Sequence, residues 1–485
     1  MASISVKSRL QPTRLLSGQE RSLIPIGMTT ILPPVAQGIR SLQLTLLSQL
    51  SQGGYQEIIL PTFEYLDVLA PGLEAELLEK CYQFADRTTG RILVLRPDAT
   101  AQIARTVGMG MLGSRFPLRL CYCTSVFRYE PEHAGRDREI FQVGAEFIGR
   151  DDADSDSEII GLMVESLKQA GLSSFTVSVG HVGFFRELLA QSGMSGEGQK
   201  RAEQAAARKD LPRLEEVLRQ EGVAKATANA ILEAPGLCGR EEVLERGRRM
   251  AGRNRALVAP LERLARVYDR MASSGGGHSG GGHAVLLDLG EFRGFEYYDG
   301  IVFDVFAEGV GSELGGGGRY DHLIGRFGEQ LPSTGFAIDI DRLFRAIEGR
   351  SKHPDSSRLD YLVFSSPSAT KHGANVMRAL KSGGARVRAG QLKKRGEQAV
   401  EAAIEEGRAR GASIIVVLGA SGIAPDEALI VEHILNGQVS GTDRPPKDRQ
   451  STAVQPAGRT VKIRTWLGAR VKDSKGSDDE IHARD

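Results

Sequence analysis

Four cysteines in 485 residues are too few for a disulfide framework. Cys81, Cys121, Cys123 and Cys238 are therefore read as reduced packing residues. An excess of charge is missing as well. Against 62 basic side chains stand 61 acidic ones, for a net charge of +1, which argues against the broad basic face that nucleic acid or an anionic membrane would require. No apolar run reaches the roughly 20 residues of a membrane-spanning helix. The first residues, MASISVKSRLQPTRLLSGQERS, lack the apolar core of a secretory signal, so the expected compartment is the cytoplasm, with no membrane and no nucleic acid among the expected partners. What remains is ordinary for a globular protein, 41% apolar and 25% charged, and long enough for two or three domains.

Residues 1–20 are polar and are expected to form a flexible tail. In ILPPVAQGIRSLQLTLLSQLSQGG, the Pro33–Pro34 pair suits a first helical turn, Leu42, Leu46 and Leu50 line one face, and Gly53–Gly54 end the helix. IIL then runs into Pro61, the mark of an edge strand. Such a helix and edge strand can pair with their own copies in a symmetric dimer. Two short strands follow around Thr89–Gly90, then a helix starting near Asp98, then a hairpin of FPLRLCYCTSVFRYE and IFQVGAEFIG around a charged loop. The acidic run Asp151, Asp152, Asp154, Asp156 and Glu158 is assigned to a helix N-terminus in preference to a metal site.

From about 196 to 272 the pattern is helical without a strand signal, and SSGGGHSGGGH (273–283) reads as a Gly-rich linker whose His278 and His283 are linker residues, not ligands. Alternating strand and helix patterns over 358–438 predict a small α/β domain. Residues 439–485 are polar and expected to be disordered, apart from a strand near Val461 to Trp466.

The densest chemistry lies between Leu286 and Phe344. IVFDVF alternates like a half-buried strand, and Gly315 to Gly318 allow a strand or a ligand to approach the backbone. Arg293, Glu296, Tyr297, Tyr298, Arg319, Tyr320 and Asp321 surround that Gly-rich turn. Either they grip a small polar molecule, or they are the solvated charges of a hairpin.

Taken in order, these segments resemble class II aminoacyl-tRNA synthetases, histidyl-tRNA synthetase in particular. The helix and strand ending at Pro61 look like the first motif, and Phe127 to Glu130 with Gly135 to Glu139 and Phe141-Gln142 like the second. Gly335 to Arg342 looks like the third, while Arg293 to Tyr298 and Gly317 to Asp321 are similar to the two histidine-specific elements. The resemblance, spanning about 25 to 345, implies an α+β fold, an antiparallel sheet flanked by helices, over residues 21–350. It implies a histidine pocket in which Asp98, Thr100, Gln142 and Glu146 hold the amino end and Arg293 faces the carboxylate. Tyr298 and Tyr320 bracket the ring, with Tyr297 completing the set.

Departures from the synthetase pattern point to a paralogous branch. Asp98 stands where the synthetase has Glu, roughly 1.5 Å shorter, Thr30 replaces an Asp, and Asp339 replaces a Gly against which the nucleotide would lie. Arg128, Glu130, Arg136, Asp339 and Arg342 then read as a vestigial nucleotide site. Tyr82 to Arg91, Arg96 to Arg105, Asp288 to Gly294 and the segment Leu237 to Leu244 resemble the regulatory subunit of ATP phosphoribosyltransferase. That resemblance implies a non-catalytic chain without metal or cofactor, a dimer within a hetero-oligomer. Its partner would be the short-form catalytic subunit, and histidine its effector. The alternative is a working histidyl-tRNA synthetase, to which the domain over 358–438, similar to an anticodon-binding domain, is the best pointer.

Overall fold

Helix α1 (Pro33–Gln52) opens on the proline pair, where a fixed φ is an advantage and a missing N–H costs nothing. Ile39, Leu42, Leu46 and Leu50 are buried along one face, and the helix stops at Gly53, followed by Gly54 at φ +83°. The computed structural model describes residues 24–25, 27–111, 113, 115–129, 138–273, 283–290, 297–348, 359–392, 397–410, 412–420, 422–423, 427–432 and 459–462. The chain divides into two units, residues 1–352 and 353–485. The tail expected over 1–20, His278, Arg293, Glu296, Glu130 and Arg136 lie outside the described residues.

After α1 comes β1 (Gln56–Glu57), which ends just before the IIL segment expected as the strand: Ile58 still bonds to the Cys121 carbonyl at 2.8 Å, but Pro61, as a non-donor, cannot extend the ladder. A small sheet follows, built from β2 (Phe63–Tyr65), β3 (Gln83–Ala85) and β4 (Ile92–Leu95), with helices α2 (Leu66–Leu69) and α3 (Ala75–Glu79) between its strands. The turn joining β3 to β4 carries Gly90 at φ +74°. Asp98 then caps α4 (Ala99–Gly108), its Oδ1 accepting from the Ala101 N–H at 3.0 Å.

The expected hairpin is β5 (Leu118–Phe127) against β6 (Glu139–Ile148), antiparallel over the full ten-residue length of each. Helix α5 (Ala153–Gln169) leads to β7 (Phe175–His181) and α6 (Val182–Ala190). His181 caps α6, accepting from the Gly183 N–H, and burial, with Arg263 and Arg319 nearby, pushes its pKa down to about 3. It is a neutral structural histidine.

The insertion consists of α7 (Gly196–Ala207), α8 (Leu211–Gln220), α9 (Lys225–Glu233), the two-residue strand β8 (Cys238–Gly239), α10 (Glu241–Ala251) and α11 (Arg255–Met271). Sequence reading had no strand here. Two residues leave no periodicity to detect, yet β8 pairs with β9 (His283–Asp288) at the sheet edge. His283 is likewise not a linker residue: it opens β9, is buried, and stacks on Phe175 with ring centroids 5.4 Å apart.

Strands β10 (Ile301–Phe306), β11 (Gly315–Arg319) and β12 (Ser333–Asp339) and helix α12 (Ile340–Glu348) complete the unit. The large sheet runs β1-β5-β6-β12-β11-β10-β7-β9-β8 and is antiparallel except for the β1–β5 and β7–β9 pairs. This is the expected α+β architecture. Two expectations about its centre change. Gly315–Gly318 is not a turn but the interior of β11, and the glycines are needed because neighbouring strands leave no room for a Cβ: at Gly317 it would meet the Gly335 carbonyl, and at Gly318 it would lie 2.8 Å from the Tyr298 ring. IVFDVF is buried on both faces, since Ile301, Phe303 and Val305 join the large core under α1, α5 and α12 while Val302 joins the cluster on the opposite face. That opposite face carries a cleft.

The acidic run does more than favour a helix N-terminus. Asp152 caps α5 through the Ser155 N–H (2.8 Å), and Glu158 binds Arg119 (2.7 Å) and the Tyr55 hydroxyl (3.1 Å). Asp156, fully buried, pairs with Arg319 (2.7 Å) and Arg263 (2.7 Å). Among the described residues no group of three or more His, Cys, Asp or Glu could hold a metal, and no helix is long and apolar enough to cross a membrane.

In the second unit, β13 (Tyr361–Ser365), β14 (Val387–Gln391), β15 (Ile414–Leu418), β16 (Glu427–Glu432) and β17 (Arg459–Lys462) form a sheet ordered β14-β13-β15-β16-β17, with helices α13 (Thr370–Ser382) and α14 (Glu397–Ala409). Its first three strands are parallel. Strand β17 pairs with β16 and takes this sheet past residue 438, the boundary drawn from the sequence.

Candidate functional site

Period-two alternation puts Gln142, Gly144 and Glu146 on one face of β6. The register of β12 sets Gly335 opposite Glu146, Ala337 opposite Gly144 and Asp339 opposite Gln142. Across the other edge of β6, Tyr122 lies opposite Gly144, where a Cβ would collide with its hydroxyl. These strands floor a cleft with a cavity volume of about 110 Å³, walled by Tyr297, Tyr298, Tyr320 and the start of α4. Gln142 and Glu146 are four residues apart, so the two ends of the cleft are roughly 13 Å apart. They differ in chemistry.

At the Glu146 end the carboxyl is 1% exposed. Thr100 donates to its Oε1 at 2.7 Å, and the Tyr320 hydroxyl donates to its Oε2. Burial pushes its pKa up to about 8 against the opposing effect of those two hydrogen bonds, with the charge of Asp98 adding to the rise. Gly335 makes this possible, because a side chain there would occupy the space taken by the Glu146 carboxyl. Around it the rings of Tyr297 and Tyr298 (centroids 4.7 Å apart), Tyr297 and Tyr320 (5.8 Å) and Tyr298 and Tyr320 (6.5 Å) form an aromatic cage. Burial holds the hydroxyls of Tyr122, Tyr297 and Tyr320 well above their usual pKa, so they stay neutral donors.

At the Asp339 end, cations are already matched. Arg342 reaches Asp339 Oδ2 at 3.0 Å, Glu313 Oε1 at 2.7 Å and the Glu313 carbonyl at 2.8 Å. Asp339 also accepts from the Arg342 N–H at 3.1 Å and so caps α12. Between the two ends, Arg128 donates to the Pro97 carbonyl at 2.8 Å and lies 3.8 Å from Asp98 Oδ2. Asp98 is thus a helix cap on one oxygen and a cleft carboxylate on the other.

Of the residues singled out from the sequence, Asp98, Thr100, Arg128, Gln142, Tyr297, Tyr298, Tyr320, Asp339 and Arg342 all line the cleft, and Glu146 is bonded to two of them. Arg319 and Asp321 do not join the cage. Arg319 is adjacent to Tyr320 and points into the α5 network instead, bound to Asp156, Asp321, the Ser155 hydroxyl and the Arg150 carbonyl. Sequence reasoning missed Tyr122 and Glu313. Tyr122 carried a signal, the period-two spacing along β5, whereas nothing near Glu313 marked it.

The Histidyl-tRNA synthetase family model matches residues 27–343. Among solved structures, the chain is similar to histidyl-tRNA synthetase from Nostoc sp. PCC 7120 (17% identical, TM-score 0.72, covering 94% of this chain and 100% of that one). It is also similar to an ATP phosphoribosyltransferase regulatory subunit/histidyl-tRNA synthetase from Bacillus halodurans C (26% identical, TM-score 0.68, covering 79% and 97%). Fold and cleft therefore define a protein of the histidyl-tRNA-synthetase class. Within that class the curated relatives are specific: ATP phosphoribosyltransferase regulatory subunits of Geobacter metallireducens (37% identical over 70% of this chain and 77% of the relative) and Moorella thermoacetica (39% over 67% and 81%). The chain belongs to the family of ATP phosphoribosyltransferase regulatory subunits, in histidine biosynthesis, and the ligase alternative is not favoured.

Proposed function

We propose that the cleft is a histidine sensor with no adenylating chemistry, and that the chain serves a short-form ATP phosphoribosyltransferase catalytic subunit by lowering its activity when histidine is bound. The observation that carries this reading is the contrast between the two ends of one cleft. A buried carboxyl in a tyrosine cage persists at the Glu146 end, whereas at the other end Arg342 is clamped by Asp339 and Glu313. Near pH 7 Glu146 is largely neutral, and the arrival of a cationic group favours its ionisation. Histidine brings such groups. Asp98, Thr100 and Gln142 are assigned to its ammonium end, Tyr297, Tyr298 and Tyr320 to its ring, Arg293 to its carboxylate, and Glu146, held within the cage, to whichever protonated nitrogen reaches it. Arg128, Glu130, Arg136, Asp339 and Arg342 are the remains of the nucleotide site.

Two copies are proposed to pair through α1 and the segment after β1, where Leu44 is 61% and Ile59 89% exposed. The protein is assigned to the cytoplasm. The test is an assay of phosphoribosyl transfer to ATP with the pure chain and a short catalytic subunit mixed. Activity that appears on mixing and falls on adding histidine supports the reading. Robust histidine-dependent ATP–pyrophosphate exchange by the chain alone defeats it.

A further inference from the structure

Two polar ties run from the helical insertion to the rest of the first unit, and one of them reaches a residue of the cleft. Arg186 on α6 donates from Nη1 to the Tyr298 carbonyl at 2.6 Å and from Nε to Glu203 Oε1 on α7 at 2.8 Å. Tyr298 is the residue whose ring packs on both Tyr297 and Tyr320. The second tie sits at the turn after α7. Lys209, at φ +53°, adopts a conformation that a lysine rarely takes, and its Nζ reaches the Pro235 and Gly290 carbonyls at 2.9 and 3.1 Å and Asp288 Oδ2 at 3.4 Å. The turn after α7 is thereby pinned to the end of β9, while Glu203 within α7 holds Arg186, the α6 residue that donates to the backbone of a cage tyrosine.

We infer that α7 reads the occupancy of the cage, with Arg186 and Glu203 as positioning residues that join the Tyr298 backbone to the insertion. A guanidinium is a planar, rigid fork, so movement of the acceptor on one side is felt by the acceptor on the other. Both partners are about one-third exposed, at 34% and 30%, and such a pair adds little to stability. Its position between insertion and cage is better explained by coupling than by holding the fold together. The inference rests on the cleft being a histidine site.

Hydrogen exchange and calorimetry on the full chain test it. Histidine is expected to slow amide exchange along α7 in the wild type. In Glu203→Ala that protection disappears and histidine binds about fivefold more weakly, at an unchanged melting temperature. Glu203→Gln keeps the acceptor oxygen and restores both. Calorimetric binding by the wild type with no change in α7 exchange overturns the coupling, as does a Glu203→Ala chain that keeps both properties, or one whose lost affinity simply follows a lower melting temperature. If the wild type gives no histidine heat at all, the cleft reading falls and takes the inference with it.

Discussion

Glu146 is the residue on which the cage depends, and its protonation gives a signature. Burial raises the carboxyl from 4.5 to about 8, so between those values the folded chain holds a proton that the unfolded chain has lost. Stability from this group is complete below pH 4.5 and drains away as pH rises through about 8. Thermal melts from about pH 5 to about pH 9 should therefore fall more steeply for the wild type than for Glu146→Gln. Parallel curves would mean that the carboxyl is not buried as described. Removing the cage contacts should cost binding as well: Glu146→Ala or Tyr320→Ala is expected to weaken histidine at least about tenfold, or about 1.4 kcal/mol, by calorimetry. The residues at these positions were legible in the sequence through the motifs they share with the synthetase class. That Glu146 would be buried, and Arg342 already paired, was not, since both depend on which strands lie alongside.

At the scale of elements, β11 is the instructive case. With four glycines it offers no side-chain alternation, so the sequence reading took it for a turn, and only its pairing with β10 and β12 reveals a strand. Once it is a strand, Arg319 and Tyr320 must point to opposite faces. The helix side of that alternation is anchored by Asp156, and because removing one partner of a buried ion pair strands the other, Asp156→Asn should destabilise by roughly 3 kcal/mol in chemical denaturation. Histidine affinity should fall with it through the neighbouring Tyr320. Unchanged stability would show that Asp321 suffices to hold Arg319. Gly335→Ala is a sharper probe: the added methyl competes for the space of the Glu146 carboxyl, so histidine binding should be lost. Helices, by contrast, were readable almost to the residue where caps and breakers marked them, at Pro33, Gly53 and Asp98, whereas α5 begins at Ala153, inside the acidic run and ahead of the Glu158 from which its apolar pattern runs.

On the scale of the whole molecule, each unit has cores of its own: clusters in the second are built only from residues 359–431, and the cleft draws on the first unit alone. A chain cut after residue 352 is therefore expected to bind histidine within about twofold of the full protein, measured by calorimetry. A large loss would mean that the second unit contributes to the site. Architecture at this level was legible because the order of motifs, more than any one of them, resembles the class. The strand β17 was placed only approximately, as four residues amid a long polar stretch give periodicity little to act on.

Asp339 does two jobs, capping the first turn of α12 and holding the guanidinium of Arg342. A glycine at that position would do more than remove a carboxylate from the cleft wall. It would also unfasten a helix end and leave Glu313 as the carboxylate still holding the arginine. Freeing Arg342 for a ligand thus requires coordinated changes at Asp339 and Glu313, the first of them harmful to the helix by itself.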